Sequence, residues 1–312
     1  MPMAVQSGVS VVIPVFNGAD TLGAAIRSAL GQSDCDRDVV VIDDGSTDGS
    51  LTVAQSFGAD IRVFNGPNRG VSAARNRGIA ESAGEWLVFL DADDVLLEGT
   101  LKRRLDTADV TNADVVLCDW QEFSERSGAV ELGPIRSIDM EALSRDAELA
   151  CATNSWATTA ALMYRRSLVE KIGGFRSDLP VIQDARFLFD ASFQGARFAH
   201  SPHVGAQYRT QVGSLSRSNP ARFWRDVLTN AKQIEQLWSG KGLSAARRLA
   251  LAEIYNTAAR GLFGCGDPNY FEAVERQKKH SLRMALHPRI AAPLARTVGL
   301  ARARQVLRLL GR

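Results

Sequence analysis

Four cysteines and four histidines in 312 residues leave little material for thiolate or imidazole chemistry. Cys35, Cys118, Cys151 and Cys265 are far apart and form no C-x-x-C pair, which argues against structural zinc and against a dense disulfide framework. His200 and His203, in "HSPH", have no partner motif and read as a turn between strands rather than as metal ligands. No apolar run approaches the roughly 20 residues that span a bilayer. The opening "MPMAVQSGVS" lacks the basic-then-apolar layout of a secretory signal, so the expected compartment is the cytoplasm. Glycine-rich phosphate loops are missing as well. The turn "PVFNGADTL" holds one glycine, and no G-x-x-x-x-G-K-[ST] exists, which excludes the dinucleotide fingerprint and the P-loop. The Gly-rich stretch and downstream Lys of a sugar nucleotidyltransferase are also absent.

A hydrophobic content of 45% and ordinary charge give a chain that can bury a sizeable core. The net charge of +2 hides an asymmetry. After Glu275 there are ten Lys/Arg and no Asp/Glu, so the preceding chain, with 27 basic and 35 acidic residues, is net −8. An acidic body with a basic tail is a partner signal.

Short β-branched runs alternate with helical spacing over the first 120 residues. Strands are expected over 9–16, 38–44, 61–64, 85–90 and 113–120, and helices over 20–30, 49–57, 71–83 and 98–108. Continuous apolar strands of this kind imply an α/β fold with a mostly parallel sheet covered on both faces. Ligands of such sheets bind outside the carboxyl ends of the strands. The polar motifs fall at those ends: Asn17, then Asp43 and Asp44, then Asp91 and Asp93. Residues 121–137 read as a polar loop, 138–150 as helix, 156–164 as strand, 165–172 as a short helix stopped by Gly173, 184–194 as helix and 203–209 as strand. From Pro220 onward almost everything reads as helix, with turns near 239–243, 264–268 and Pro288.

Four segments occur in order within about the first 95 residues: "VSVVIPVFNGADTLGAAIRSAL", "VVVIDDGSTDGS", "NRGVSAARNRGI" and "GEWLVFLDADD". "GGF" at 173–175, "QD" at 183–184 and "YRTQVGSLS" at 208–216 follow. Together they resemble the glycosyltransferase family 2 enzymes over about residues 8–218. The resemblance implies the GT-A fold over 1–218, with a nucleotide-binding half at about 8–120 and an acceptor half at about 121–218. Residues 219–312 lie outside it as a helical C-terminal region.

By this resemblance the chain moves one sugar, with inversion, from a nucleotide-sugar donor to a glycan or lipid-linked acceptor. It implies a UDP-sugar donor, hexosyl-type transfer and a place in bacterial surface polysaccharide assembly. The D-x-D motif then has a purpose. Mg²⁺ or Mn²⁺ takes one or two carboxylates plus phosphate oxygens and stabilises a leaving diphosphate. Asp93 is implied as the direct metal ligand, with Asp91 supporting the metal and contacting the donor. Asp94 is expected to orient neighbouring backbone or to cap the next segment. Asp44 is implied to bind the base and Asp43 to brace its turn, with Pro14 and Phe16 lining the nucleotide pocket; Asp48 reads as a helix cap. Arg69, Arg75 and Asn76 fall in the segment that holds nucleotide and donor sugar in the family, with Arg75 either facing phosphate or lying on the surface of its helix. Asp184 is the candidate general base. Trp156 either stacks on the acceptor sugar or fills the core.

Two positions depart from the family's usual pattern. Gln183 stands where a Glu commonly precedes the base, which removes a neighbouring charge and lowers the pKa expected of Asp184 relative to a paired-acid site. Gln211 stands where relatives often carry a His, and amide is a poorer metal ligand. These departures keep an alternative in view, a nucleotide-sugar-binding protein of the same fold with impaired catalysis. The 211–218 loop is expected to close over the donor. The absence of Q-x-x-R-W argues against a processive synthase. In "LARARQVLRLLGR", residues Leu300, Ala303, Val306, Leu307 and Leu310 share one helical arc, with Arg302, Arg304, Arg308 and Arg312 elsewhere. Such a helix either lies on an anionic membrane, at the inner face of the cell membrane, or packs on its own domain. Nucleic acid is not an expected partner, since the tail lacks interleaved aromatics.

Overall fold

The computed structural model describes residues 6–126, 129–153, 156–210, 218–281 and 291–309. Two compact units form: one from residues 1–151 with 155–211, the other from 152–154 with 212–312.

The first unit is built on a nine-stranded mixed sheet of order β3-β2-β1-β4-β8-β6-β9-β5, with β7 paired to β6. Strands β1 (Gln6–Val15), β2 (Arg37–Asp43), β3 (Arg62–Asn65) and β4 (Gly84–Phe89) are parallel. The apolar runs of β1, β2 and β4 are buried, as parallel strands with both faces covered must be, whereas β3, at the sheet edge, is only partly buried. The helices between them are α1 (Ala19–Leu30), α2 (Ser50–Gln55) and α3 (Val71–Glu81). Beyond β4 the sheet departs from the parallel expectation. The strand β8 (Leu162–Arg165) inserts antiparallel between β4 and β6 (Val115–Arg126). Next come β9 (Phe198–Arg209), parallel to β6, and the two-residue β5 (Val95–Leu96) at the edge. Helix α4 (Thr100–Thr111) packs on β6 and β9.

Other expectations need correction. Residues 121–137 are not a loop: β6 runs on to Arg126 and pairs with β7 (Ala129–Arg136). Nearly every residue of β7 is exposed, Val130, Leu132 and Ile135 included, so it has no buried face, and cross-strand pairing holds it as a strand. The expected helix at 138–150 is two, α5 (Met140–Arg145) and α6 (Ala147–Thr153), broken at the extended Asp146. The apolar run before β8 includes a 3₁₀ turn at Thr159–Ala161. "HSPH" is not a turn but lies within β9, where the register against β6 shifts. His200 Nε2 meets Asp119 at 2.9 Å and His203 Nε2 meets Thr100 at 2.9 Å, so both rings have structural partners. Helices α7 (Arg166–Ile172), stopped by the left-handed Gly173, and α8 (Gln183–Phe193) fall where the sequence put them.

The second unit is helical: α9 (Pro220–Lys241), α10 (Ala245–Cys265), α11 (Tyr270–His280), α12 (Ala291–Val298) and α13 (Leu300–Leu309). Asn219 and Ser244 cap α9 and α10 through their side-chain oxygens, with Pro220 beginning α9. The centre of this unit is charged. Glu235 on α9 is buried and accepts from Tyr255 at 2.5 Å, Lys279 at 2.8 Å and Arg276 at 2.9 Å. In α13, Ala303 and Leu307 are buried, and Arg304 donates to the Gly264 carbonyl at the end of α10. Val306, of the same expected arc, faces solvent, as do Arg302 and Arg308. Leu310 and Arg312 lie outside the described residues. Among the described residues no helix is long and apolar enough to cross a membrane.

Candidate active site

The carboxyl ends of β1, β2 and β4 lie side by side, because β1 is hydrogen-bonded to both neighbours. The loops beyond them are tied together. Asn17, with φ of 53°, accepts from the Thr47 N–H at 2.8 Å, and its own N–H donates to Ser46 Oγ at 3.0 Å. Asp48 accepts from the Ser50 N–H at 2.9 Å and the Ala19 N–H at 3.1 Å, joining the starts of α1 and α2; the N-cap position of α2 is Gly49 rather than the expected Asp48. Pro14 is buried in β1, while Phe16 is exposed at its end.

The "IDDGS" turn is held from within. Asp43 Oδ1 accepts from the Ser46 N–H at 3.1 Å. Asp44 accepts from the Arg69 N–H at 2.9 Å and the Gly70 N–H at 2.8 Å, which fixes the segment entering α3. Each carboxylate oxygen keeps a second lone pair, so this bracing leaves acceptor capacity. Gly45 has φ of +78°, and a Cβ there would sit 2.7 Å from the Asn68 nitrogen. Arg69 itself is exposed.

Helix α3 carries the two residues whose placement differs most from expectation. Arg75 does not face open space. It is 2% exposed, pairs with Asp91, donates from Nη1 to Gln183 Oε1 at 3.0 Å, and lies 5.1 Å over the Phe175 ring. The Asn76 amide bonds the Phe175 backbone at both ends, donating to its carbonyl at 2.9 Å and accepting from its N–H at 2.7 Å. This explains "GGF": Gly174 has φ of +91°, and a Cβ would meet Asn76 Oδ1 at 2.5 Å. Phe175 in turn stacks on Phe187 of α8 at 4.0 Å. The turn is thereby packed against the helix that carries Asp184.

The three acids after β4 have different surroundings. Asp91 and Asp93 are partly exposed, and Asp94 is buried. Asp94 accepts from the Arg209 N–H at 2.9 Å and from Thr158 Oγ1 at 2.9 Å, the orienting role expected of it. Burial, then repulsion by Asp91 and Asp93, pushes its carboxyl well above the ordinary range. Burial and the same acids raise the Tyr208 hydroxyl to about 12. Arg209 donates to the Asp93 carbonyl at 2.9 Å and pairs with Glu125. Thr158, Tyr208 and Arg209 were missed as site residues. The latter two stand in "YRTQVGSLS", and Thr158 is the first of two adjacent hydroxyls in a mostly apolar run.

Asp184 sits in the first turn of α8. Its Oδ1 accepts from the Ala185 N–H at 2.8 Å and its Oδ2 from Trp156 Nε1 at 3.1 Å. Burial raises its pKa above the usual carboxylate value, opposed first by the charge of Arg75. Trp156 is not a core residue; it is 42% exposed, with edge contacts to Trp120 at 5.9 Å and Tyr208 at 5.7 Å. Gln211 lies outside the described residues.

Among the described residues no group of three or more His, Cys, Asp or Glu side chains forms a metal cage. Asp91 and Asp93, both partly exposed, offer the hard oxygen donors that suit a cation drawing its remaining ligands from a diphosphate. The donor set therefore fits Mg²⁺ or Mn²⁺ arriving with substrate.

Residues 10–173 match the Glycosyl transferase family 2 domain, just over half of the chain. The succinoglycan biosynthesis protein ExoO of Rhizobium meliloti is 28% identical over 297 residues, covering 92% of this chain and 82% of that protein. Cholesterol galactosyltransferase of Borreliella burgdorferi is 39% identical over 111 residues, 35% of this chain and 31% of that one. Among solved structures, S. aureus TarS 1–349 in complex with UDP superposes with a TM-score of 0.68 at 20% identity, covering 96% of this chain and 90% of that chain. Mannosyltransferase PcManGT from Pyrobaculum calidifontis, in complex with GDP-Man and Mn²⁺, gives 0.55 at 19% identity, covering 100% and 90%. These structures share the fold, which is GT-A. The chain belongs to glycosyl transferase family 2 and is a glycosyltransferase.

Proposed function

We propose that this enzyme transfers one sugar, with inversion, from a UDP-sugar to a hydroxyl of a glycan or lipid-linked acceptor in bacterial surface polysaccharide assembly. The observation that carries the reading is the bridge made by Arg75. One guanidinium contacts Asp91, at the D-x-D end of β4, and Gln183, the residue before Asp184. A donor-side carboxylate and the residue next to the candidate base thus meet on one side chain, which supports their acting on the same substrate.

Each residue then has a task. Asp93, with Asp91 beside it, would hold Mn²⁺ or Mg²⁺, whose Lewis acidity stabilises charge on a departing diphosphate. Asp44 and the turn of Pro14 and Phe16 receive the base. Asp184 takes the proton of the acceptor hydroxyl. The acceptor oxygen bonds to the anomeric carbon, the bond to the diphosphate oxygen breaks, and the nucleoside diphosphate leaves with that electron pair. Trp156, exposed beside Asp184, offers an apolar face to the acceptor. TarS in complex with UDP supports a uridine donor by analogy of fold, and ExoO supports a role in polysaccharide synthesis. A basic C-terminal segment is compatible with work at an anionic inner membrane face.

The test is incubation with a panel of sugar nucleotides and Mn²⁺, reading nucleoside diphosphate release. Turnover with a UDP-sugar that disappears in Asp93→Ala and in Asp184→Asn is the expected result. Binding of UDP without turnover of any donor would favour the impaired-catalyst alternative.

A further inference from the structure

We infer that Trp156 is the positioning residue of the base Asp184, holding one carboxylate oxygen through its indole N–H while the segment that carries it is fastened to Asp94. This rests on Asp184 being the base.

Both oxygens of Asp184 are engaged from different directions. The Ala185 backbone fixes Oδ1 and Trp156 Nε1 fixes Oδ2, so the carboxylate plane is set by two donors rather than by its own torsions. One lone pair on each oxygen is left for an acceptor proton. A partly exposed side chain holds such a geometry only if its own ring is held, and here Trp120 and Tyr208 contact the ring edge-on. Two residues on, Thr158 donates to buried Asp94. That hydroxyl bond pins the chain beside Trp156 to the segment between β4 and β5. The acid after the D-x-D motif and the base on α8 are thereby connected by Asp94, Thr158 and Trp156, a path independent of Arg75.

The electrostatics give the N–H a second consequence. Titratable or charged groups acting on or with Asp184 are Arg75 on α3, Asp91 after β4, Tyr164 on β8 and Tyr208 on β9. Among them Arg75 alone is a cation, and it is already paired with Asp91. Burial pushes Asp184 toward its protonated form, which cannot act as a base. The indole N–H is a donor to the ionised form and opposes that push.

The experiment uses the full chain carrying ¹³C-carboxyl-labelled aspartate. The Asp184 signal is identified by its loss in Asp184→Asn, and its titration is followed by NMR in the wild type and in Trp156→Phe, which keeps a ring and removes the N–H. Trp156→Leu, which likewise carries no donor, repeats the measurement should the first variant fold poorly. The expected result is a midpoint raised by about one pH unit, with the acid limb of kcat moving the same way. A midpoint that stays or falls overturns the proposal. Wild-type turnover in Asp184→Asn would instead remove the base assignment, whatever the titration shows.

Discussion

Arg75 Nη1 donates to the side-chain oxygen of Gln183 at 3.0 Å, both residues being buried, while the same guanidinium pairs with Asp91. A Glu at 183 would place a second carboxylate on this cation. With Gln, the full charge of Arg75 remains for Asp91 and, at longer range, for Asp184.

Gln183→Glu should therefore raise the apparent pKa of the base. A new negative charge next to Asp184 disfavours its ionised form and competes with Asp91 for Arg75. The acid limb of the kcat profile should move up by about one pH unit. A pH–rate series on the variant, beside the wild type, checks it.

Arg75→Ala should weaken the fold as well as the chemistry. It leaves a cavity over Phe175 and removes the partner of Asp91. Loss of about 3 kcal/mol is expected in urea unfolding, with activity falling further than in a variant of comparable stability altered elsewhere.

Removal of either proposed chemical group should spare the fold. Asp184→Asn should lower kcat by about 10²–10⁴-fold, the range of general-base catalysis. Asp93→Ala should abolish the response of turnover to added Mn²⁺. Thermal unfolding of both variants should stay close to wild type.

Gly45→Ala should separate nucleotide binding from catalytic groups. Its positive φ and the 2.7 Å approach to Asn68 mean the loop must shift. A strained backbone of this kind costs about 1–3 kcal/mol. UDP affinity by calorimetry should fall, although no proposed catalytic residue is altered.

The helical unit should show its own acid response. Burial tends to raise the Glu235 pKa, but bonds from Lys279 and Tyr255 and the charge of His280 outweigh it, leaving the value at about 2 against an ordinary 4.5. Its folded pKa is depressed, so the stabilisation is fully present above pH 4.5 and is lost as pH falls toward 2. The size is about 3 kcal/mol. Unfolding at a series of acidic pH values should reveal this slope, and Glu235→Gln should flatten it.

The sequence by itself determined the parallel half of the sheet, because buried parallel strands must be continuous apolar runs and those are visible without neighbours. It also placed the acids of "IDDGS" and "DADD" at strand ends and Asp184 at the start of its helix. The helix stop at Gly173 was legible too, since it depends on one residue and the backbone beside it.

Contacts between distant segments were decided only by the tertiary structure. Strand β7 has no buried face, and it exists because β6 offers a partner edge. Arg75 resembled a phosphate-facing arginine until burial brought Asp91 and Gln183 to it, from 16 and 108 positions away. Asn76 is a brace for the Phe175 backbone, and Trp156 a donor to Asp184, for the same reason. Local propensity reads a side chain against its neighbours in sequence. Hydrogen-bond partners of buried groups are set by which strands and helices pack together, and that information resides in the whole chain.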